Sequence, residues 1–271
     1  MDARTFLCMD PVGDNLHWRM QVEPQLTTPG NFLFGGCGLG AALVALEEAA
    51  GRPTIWATGQ YLSYAPTHSL VEWEVTLAVV GGRVTQGRAV GSVGEREILT
   101  VNAALGEGQL DLNGVWVEPP VVPPPEDCPP RFLPEIFRNT IMDRIEVRVA
   151  KGMLLEDMTG ESAGPDSALW ARVPGHLTPS AATLAIFGDY VSGGASQALG
   201  RRSMGRSLDN TLRVARLKPT EWVLCDIRMH ALINGCAQGV AFLWSQEGDL
   251  LATASQSFVV RLWPDNGGPP G

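Results

Sequence analysis

Two side chains stand out because their type conflicts with their surroundings. Residues 181–191 read Ala-Ala-Thr-Leu-Ala-Ile-Phe-Gly-Asp-Tyr-Val, an apolar helical run broken by one carboxylate, Asp189. Asp189 falls about three turns after Thr178, where this helix would open. The positive end of its own helix is then too far away to hold it ionised, and specific hydrogen bonds would have to do so. The alternative is an exposed stripe, for which the apolar neighbours leave little room. Near the C-terminus, a period of two puts Ala252, Ala254, Gln256, Phe258, Val260 and Leu262 on one strand face. Gln256 is the amide among them. It is either a core glutamine satisfied by backbone or a side chain that meets a ligand, because an amide buried without partners is costly. Between these two places runs Ser207-Leu208-Asp209-Asn210-Thr211-Leu212-Arg213. Regular alternation gives Ser207, Asp209 and Thr211 a common face, which by itself is the polar side of a strand. A carboxylate, an amide and a hydroxyl are groups able to hold a polar ligand by hydrogen bonds.

The elements that must position them follow from pattern. Residues 119–134, PPVVPPPEDCPPRFLP, carry eight prolines in sixteen positions, incompatible with a helix or a central strand. Their near-central place reads as a linker between two units rather than as a surface loop. Before it come a short strand candidate (Leu16–Val22), a Gly-rich stretch leading into a helix (Ala41–Ala50) that ends at Gly51, and strand runs at Thr54–Tyr64, Leu70–Val80 and Val84–Leu105. The last is long enough for a hairpin turning near Gly94-Glu95-Arg96. After the linker come Arg144–Ala150 and Ala168–Val173, then a helix with Thr178 as N-cap and Pro179 at N1. That helix covers Ala181–Val191 and extends toward Leu199. Strand runs follow at Ser207–Leu217, Trp222–Leu232 and Ala237–Trp263, the last turning at Gln246-Glu247-Gly248-Asp249.

The two halves align at a constant offset of 152. Trp18 falls on Trp170, Gly36 on Gly188, Val71 on Val223, and Gln86-Gly87 on Gln238-Gly239. The shared element order carries this repeat more than the few identities do. One long helix followed by long antiparallel strands suggests a sheet wrapped around a helix, twice. At that offset Asp189, Ser207 and Gln256 correspond to Cys37, Ile55 and Ala104, so the first half would lack all three polar groups and the chain would hold one site.

Composition narrows the class. The chain has 271 residues and a net charge of −9, a poor match for nucleic acid, which needs a basic face. Its five cysteines, Cys8, Cys37, Cys128, Cys225 and Cys236, have no CxxC spacing. That argues against a disulfide framework or a structural zinc and fits a reducing cytoplasm. No signal peptide and no membrane span are expected. Gly36-Cys37-Gly38-Leu39-Gly40-Ala41 satisfies a loose dinucleotide fingerprint but lacks the acid about 20 residues on. Its glycines read as positions of close helix–sheet packing, and Cys37 as a small buried thiol. No GxSxG occurs. His17, His68, His176 and His230 show no metal spacing, so no metal is expected.

These places together make the chain resemble the acyl-CoA thioesterase II type of double-hotdog protein, over nearly its whole length. In that family a catalytic Asp lies on the second hotdog helix. A Thr or Ser lies on the following strand just before an Ile/Leu-Asp dipeptide, and a Gln lies on the final strand after an Ala-Ser/Thr-rich stretch. They fall on Asp189, on Ser207 before Leu208-Asp209, and on Gln256 after Ala252-Thr253-Ala254-Ser255. Phe34-Gly35-Gly36 matches the family's turn into the first helix. The departure is Ser207, where Thr is common; a serine can also hold a water.

The resemblance implies an α+β double hotdog, two helix-wrapped antiparallel sheets in tandem. The units would be residues 1–118 (degenerate site), 119–134 (linker) and 135–271 (active site). It implies hydrolysis of acyl-CoA, with Asp189 as general base on a water also held by Gln256 and Ser207 and backbone N–H groups at the oxyanion. Attack by Asp189 itself through an anhydride is the lesser route. No cofactor is expected beyond CoA as part of the substrate, and the chain would pair as a homo-oligomer, a dimer of double hotdogs. CoA phosphates would need a basic patch. Arg201, Arg202 and Arg206 are candidate contacts, within a stretch that continues through Arg213, Arg216 and Lys218. The rival function is a hotdog protein that binds acyl-CoA or another acyl ligand without hydrolysing it. A hydratase ranks lower, because its Asp/His pair would have only His176 to draw on.

Overall fold

A computed structural model describes residues 2–175 and 179–264. The first half runs α1 (Ala3–Phe6), β1 (Met9–Val12), β2 (Asp14–Gln21), α2 (Gly35–Ala50), β3 (Thr54–Tyr61), β4 (Leu70–Val80), β5 (Val84–Val93) and β6 (Arg96–Gly106). The second runs α3 (Ile141–Arg144), β7 (Glu146–Lys151), β8 (Asp166–Arg172), α4 (Ala181–Gly188), α5 (Gly194–Leu199), β9 (Ser203–Ser207), β10 (Asp209–Val214), β11 (Val223–Ile233), β12 (Cys236–Ser245) and β13 (Leu250–Leu262). Pairing is antiparallel throughout, in the order β1-β2-β4-β5-β6-β3-β10-β13-β12-β11-β8-β7, with β9 also on β13. The two sheets expected in tandem are therefore joined edge to edge, β3 against β10.

Alternating burial drives the strands onto the helices. Val71, Trp73 and Val75 of β4 point inward while Glu72 and Glu74 point out. α2 is buried from Gly36 to Leu46, the pattern of a helix enclosed on all sides. It ends at Gly51, whose φ of 61° and N–H bond to Glu47 make a left-handed cap. α2 and α4 also pack against each other. A methyl on Gly36 would lie 2.8 Å from the Ile186 Cα, and one on Gly40 would lie 3.0 Å from the Ala182 carbonyl. Gly36 and Gly40 thus serve helix-on-helix contact, whereas Gly38, where a Cβ would lie 3.1 Å from Leu99 of β6, serves the helix-on-sheet contact expected.

Several local expectations are corrected. The N-cap of α4 is Ser180, which accepts the Thr183 N–H; Thr178 and His176 lie outside the described residues. The helix beyond Gly188 tightens into a 3₁₀ turn over Asp189–Gly193 before α5 resumes. The run from Ser207 begins earlier and is broken: β9 ends at Ser207 and β10 starts at Asp209. Ser207 lies opposite Phe258, and Thr211 opposite Ser255. Leu208, Asp209 and Asn210 thus face only Gln256 and Ser257, a β-bulge.

The repeat is not at a constant offset either. Gly87 faces Ala103 and Gly239 faces Gln256, so the offset becomes 153 after one extra residue in the second turn. Thr54 faces Leu105 as Ser207 faces Phe258, each just before a register shift. The counterparts of Ser207 and Gln256 are therefore Thr54 and Ala103, not Ile55 and Ala104. The first half keeps a hydroxyl at that place but has neither amide nor carboxylate.

The Pro-rich segment is pinned along β7. Arg131 N–H bonds to Val147 O, Val149 N–H bonds to Pro129 O, and Trp170 Nε1 bonds to Pro123 O. This backbone pairing covers the exposed side of the edge strand.

Candidate active site

Asp189 is the C-cap of α4, 3% exposed, at the point where the helix tightens. Its Oδ2 accepts the backbone N–H of Gly36 at 2.7 Å. Its Oδ1 accepts Asn210 Nδ2 at 3.2 Å and also Gln256 Nε2. The same Gln256 nitrogen donates to Ser207 Oγ at 2.8 Å. Asp189, Ser207 and Gln256, far apart in sequence, thus meet in one hydrogen-bonded chain.

The bulge brings the strand residues together. In a regular strand Ser207 and Asn210, three positions apart, would face opposite ways. The extra residue at Leu208 reverses the parity, so that Ser207 meets Gln256 and Asn210 meets Asp189. Asp209, expected beside Ser207, instead accepts the Ser257 N–H at 2.8 Å. Thr211 meets Thr58 across the β3–β10 junction, hydroxyl to hydroxyl at 2.8 Å. Asn210 was not singled out from the sequence. Its signal is an amide beside the Leu-Asp pair, and that becomes legible only once the bulge is known.

Burial pushes the Asp189 carboxyl up to about 7, against the lowering pull of the bonds from Gly36, Gln256 and Asn210. Gly36 lies in the first turn of α2, so the positive end of the other half's helix supplies the support that Asp189's own helix cannot. Burial also raises the Cys37 thiol far above its ordinary range, which leaves it an inert core side chain.

The carboxylate opens onto a cavity of about 320 Å³ lined by both halves, with Phe34, Tyr61 and Leu99 from the first and Phe137, Leu169 and Ile227 from the second. Of the candidate phosphate contacts, Arg206 lines this cavity and lies over the Tyr64 ring at 4.8 Å. Arg202 donates to Leu155 O at 2.9 Å. Arg201 is exposed on the turn before β9. Arg216 and Lys218, from the same basic stretch, are committed to Asp249. Among the described residues no three His, Cys, Asp or Glu side chains gather as a metal site, and no helix is long and apolar enough to cross a membrane.

Helix-wrapped antiparallel sheets, joined in pairs and sharing one polar cluster, define the double-hotdog class. Residues 125–260 match the family model of the acyl-CoA thioesterase C-terminal domain. A candidate thioesterase from Novosphingobium aromaticivorans is 31% identical, with 93% of this chain and 98% of that one covered at a TM-score of 0.82. A hot dog fold protein of unknown function from Alicyclobacillus acidocaldarius shares 19% identity over 97% and 98% of the two chains, TM-score 0.82. Acyl-CoA thioesterase II TesB2 from Mycobacterium marinum shares 18% over 98% and 99%, TM-score 0.73. The sequence matches none of the curated proteins. The chain belongs to the acyl-CoA thioesterase family, and thioester hydrolysis is the activity that goes with it.

Proposed function

We propose that the chain hydrolyses acyl-CoA to free acid and CoA by a water that Asp189 activates. The observation that carries this is the buried Asp189 carboxylate, with a pKa of about 7, tied through Gln256 to Ser207 at the wall of an apolar cavity. A base of that pKa is half ionised near neutrality, where proton transfer is most effective. The water gives a proton to Asp189 as its oxygen bonds the thioester carbon. The tetrahedral intermediate then collapses, the C–S bond breaks, and the proton passes from Asp189 to the leaving sulfur. The acid product then loses its proton to solvent. The N–H of Gly35, the first residue of α2 and one that lines the cavity, has no acceptor among the described residues, and we assign it to the developing oxyanion.

In this reading the second unit (135–271) carries the base, the linker spans 119–134, and the first unit (1–118) lends backbone and cavity wall. The acyl chain takes the apolar cavity, and Arg201, Arg202 and Arg206 take CoA phosphates. The test is thiol release from short, medium and long acyl-CoAs by wild type and Asp189→Asn. A fall of about 10²-fold or more supports the base. Undiminished turnover removes Asp189 from the role. Binding without release moves the chain to an acyl-CoA-binding protein.

A further inference from the structure

Three polar atoms around Asp189 are buried and have no hydrogen-bond partner: Asn210 Oδ1, Gln256 Oε1 and the hydroxyl of Tyr61. Such atoms are costly to leave unpaired, and three around one carboxylate mark a place that a ligand completes. Two are acceptors and one is a donor. The amide oxygens suit the second hydrogen of a water whose first faces Asp189. Tyr61 is the donor among these three side-chain atoms.

Tyr61 ends β3 in the first half, and its backbone N–H bonds to the carbonyl of the bulge residue Leu208 at 3.0 Å. The ring is thereby fixed to the strand that carries Ser207 and Asn210. A methyl built on Gly35 would lie 2.9 Å from Asp189 Oδ2 and 3.0 Å from the Tyr61 oxygen. Carboxylate and phenol therefore flank one small recess, which exists because residue 35 has no side chain. Gly35, Tyr61 and Asp189 all line the apolar cavity. Burial, and then the neighbouring Asp189 charge, raise the phenol well above its ordinary pKa, against the lowering pull of the adjacent Asn210 side chain, so it keeps its proton.

We propose that Tyr61 is a catalytic residue contributed by the first half, donating its phenolic hydrogen bond to the thioester carbonyl oxygen across the recess from Asp189. This rests on the hydrolytic reading above. As the water adds, the carbonyl π electrons move onto oxygen and the Tyr61 O–H stabilises them without giving up its proton. When the C–S bond breaks the pair returns, and Tyr61 ends as it began. The half that lacks the carboxylate and amide thus supplies the electrophilic partner, and the one site needs both halves.

The experiment is acyl-CoA hydrolysis by full-length wild type, Tyr61→Phe, and protein carrying fluorinated tyrosines of graded acidity at position 61. The expected result is a kcat lowered about 10²- to 10³-fold in Tyr61→Phe with KM little changed, as for loss of an oxyanion donor. In the fluorinated series kcat should vary systematically with phenol acidity. A kcat within about threefold of wild type, or a loss confined to KM, overturns the assignment while leaving the hydrolase intact. If Tyr61→Phe fails to fold, a flat fluorinated series overturns it instead. No thiol release by wild type overturns the hydrolytic reading and this one with it.

Discussion

The backbone N–H of Gly36, in the first turn of the first half's helix, donates to the Asp189 carboxylate at the end of the second half's helix at 2.7 Å. The bond crosses between the two repeats and makes the Asp189 cluster their joint property. It also explains the Phe-Gly-Gly turn in space-filling terms. A Cβ at Gly36 would lie 2.8 Å from the Ile186 Cα and 2.9 Å from the Asp189 Cβ. Backbone cannot yield to such a clash as a flexible side chain can.

Gly36→Ala is therefore expected to force α2 and α4 apart. Overpacking of this kind costs about 1–3 kcal/mol, to be read as a lower urea midpoint. Because the same shift lengthens the bond to Asp189, kcat should fall by more than the stability loss alone explains.

The pH profile should report Asp189. Its carboxyl must be ionised to act as base, so kcat/KM should fall as pH drops through about 7. Asn210→Asp would place a second carboxylate against Oδ1. Like charge favours the neutral form, so this limb should move to higher pH. A limb that stays in place would show that the titrating group is not the one Asn210 touches.

Stability should carry the same signature with the opposite benefit. In the unfolded chain Asp189 ionises near 3.8, and in the fold near 7. Below the lower value both states are protonated and the residue is neutral in its effect. Between the two values the unfolded state gains by losing its proton, so the native state is progressively destabilised as pH rises, and the penalty is complete above about 7. Three units correspond to about 4 kcal/mol. Asp189→Asn cannot titrate, so its melting temperature relative to wild type should climb between pH 4 and 7 and then level off. A difference independent of pH would contradict the raised pKa.

Asp209 is expected to act as a positioning residue. Its Oδ1 accepts the Ser257 N–H that the bulge leaves without a backbone partner. Asp209→Ala strands that N–H, at about 1–3 kcal/mol. It should also lower kcat by loosening Ser207 against Gln256 and Asn210 against Asp189. Asp209→Asn keeps an acceptor and should restore kcat, which a general loss of stability would not predict.

Much of this protein is written locally in its chain. The period of two in residues 250–258 places Gln256 inward among Ala252, Ala254 and Phe258. The apolar run of 181–191 marks Asp189 as a carboxylate out of place. The hairpin turns at Gly94 and Gly248 fall where the sequence predicts them. These features depend on neighbours a few residues away, so periodicity and turn chemistry suffice to find them. The tertiary structure decided the rest. The bulge at Leu208 exists only relative to the register of β13, and it turns Asn210 into the site and Asp209 out of it. The Gly36 N–H reaches Asp189, and the Tyr61 hydroxyl comes to the opposite side of the Gly35 recess, only because two helices pack and two sheets join at β3 and β10. No local pattern encodes which distant donor meets a buried carboxylate, because that is set by how elements far apart in sequence close on one another.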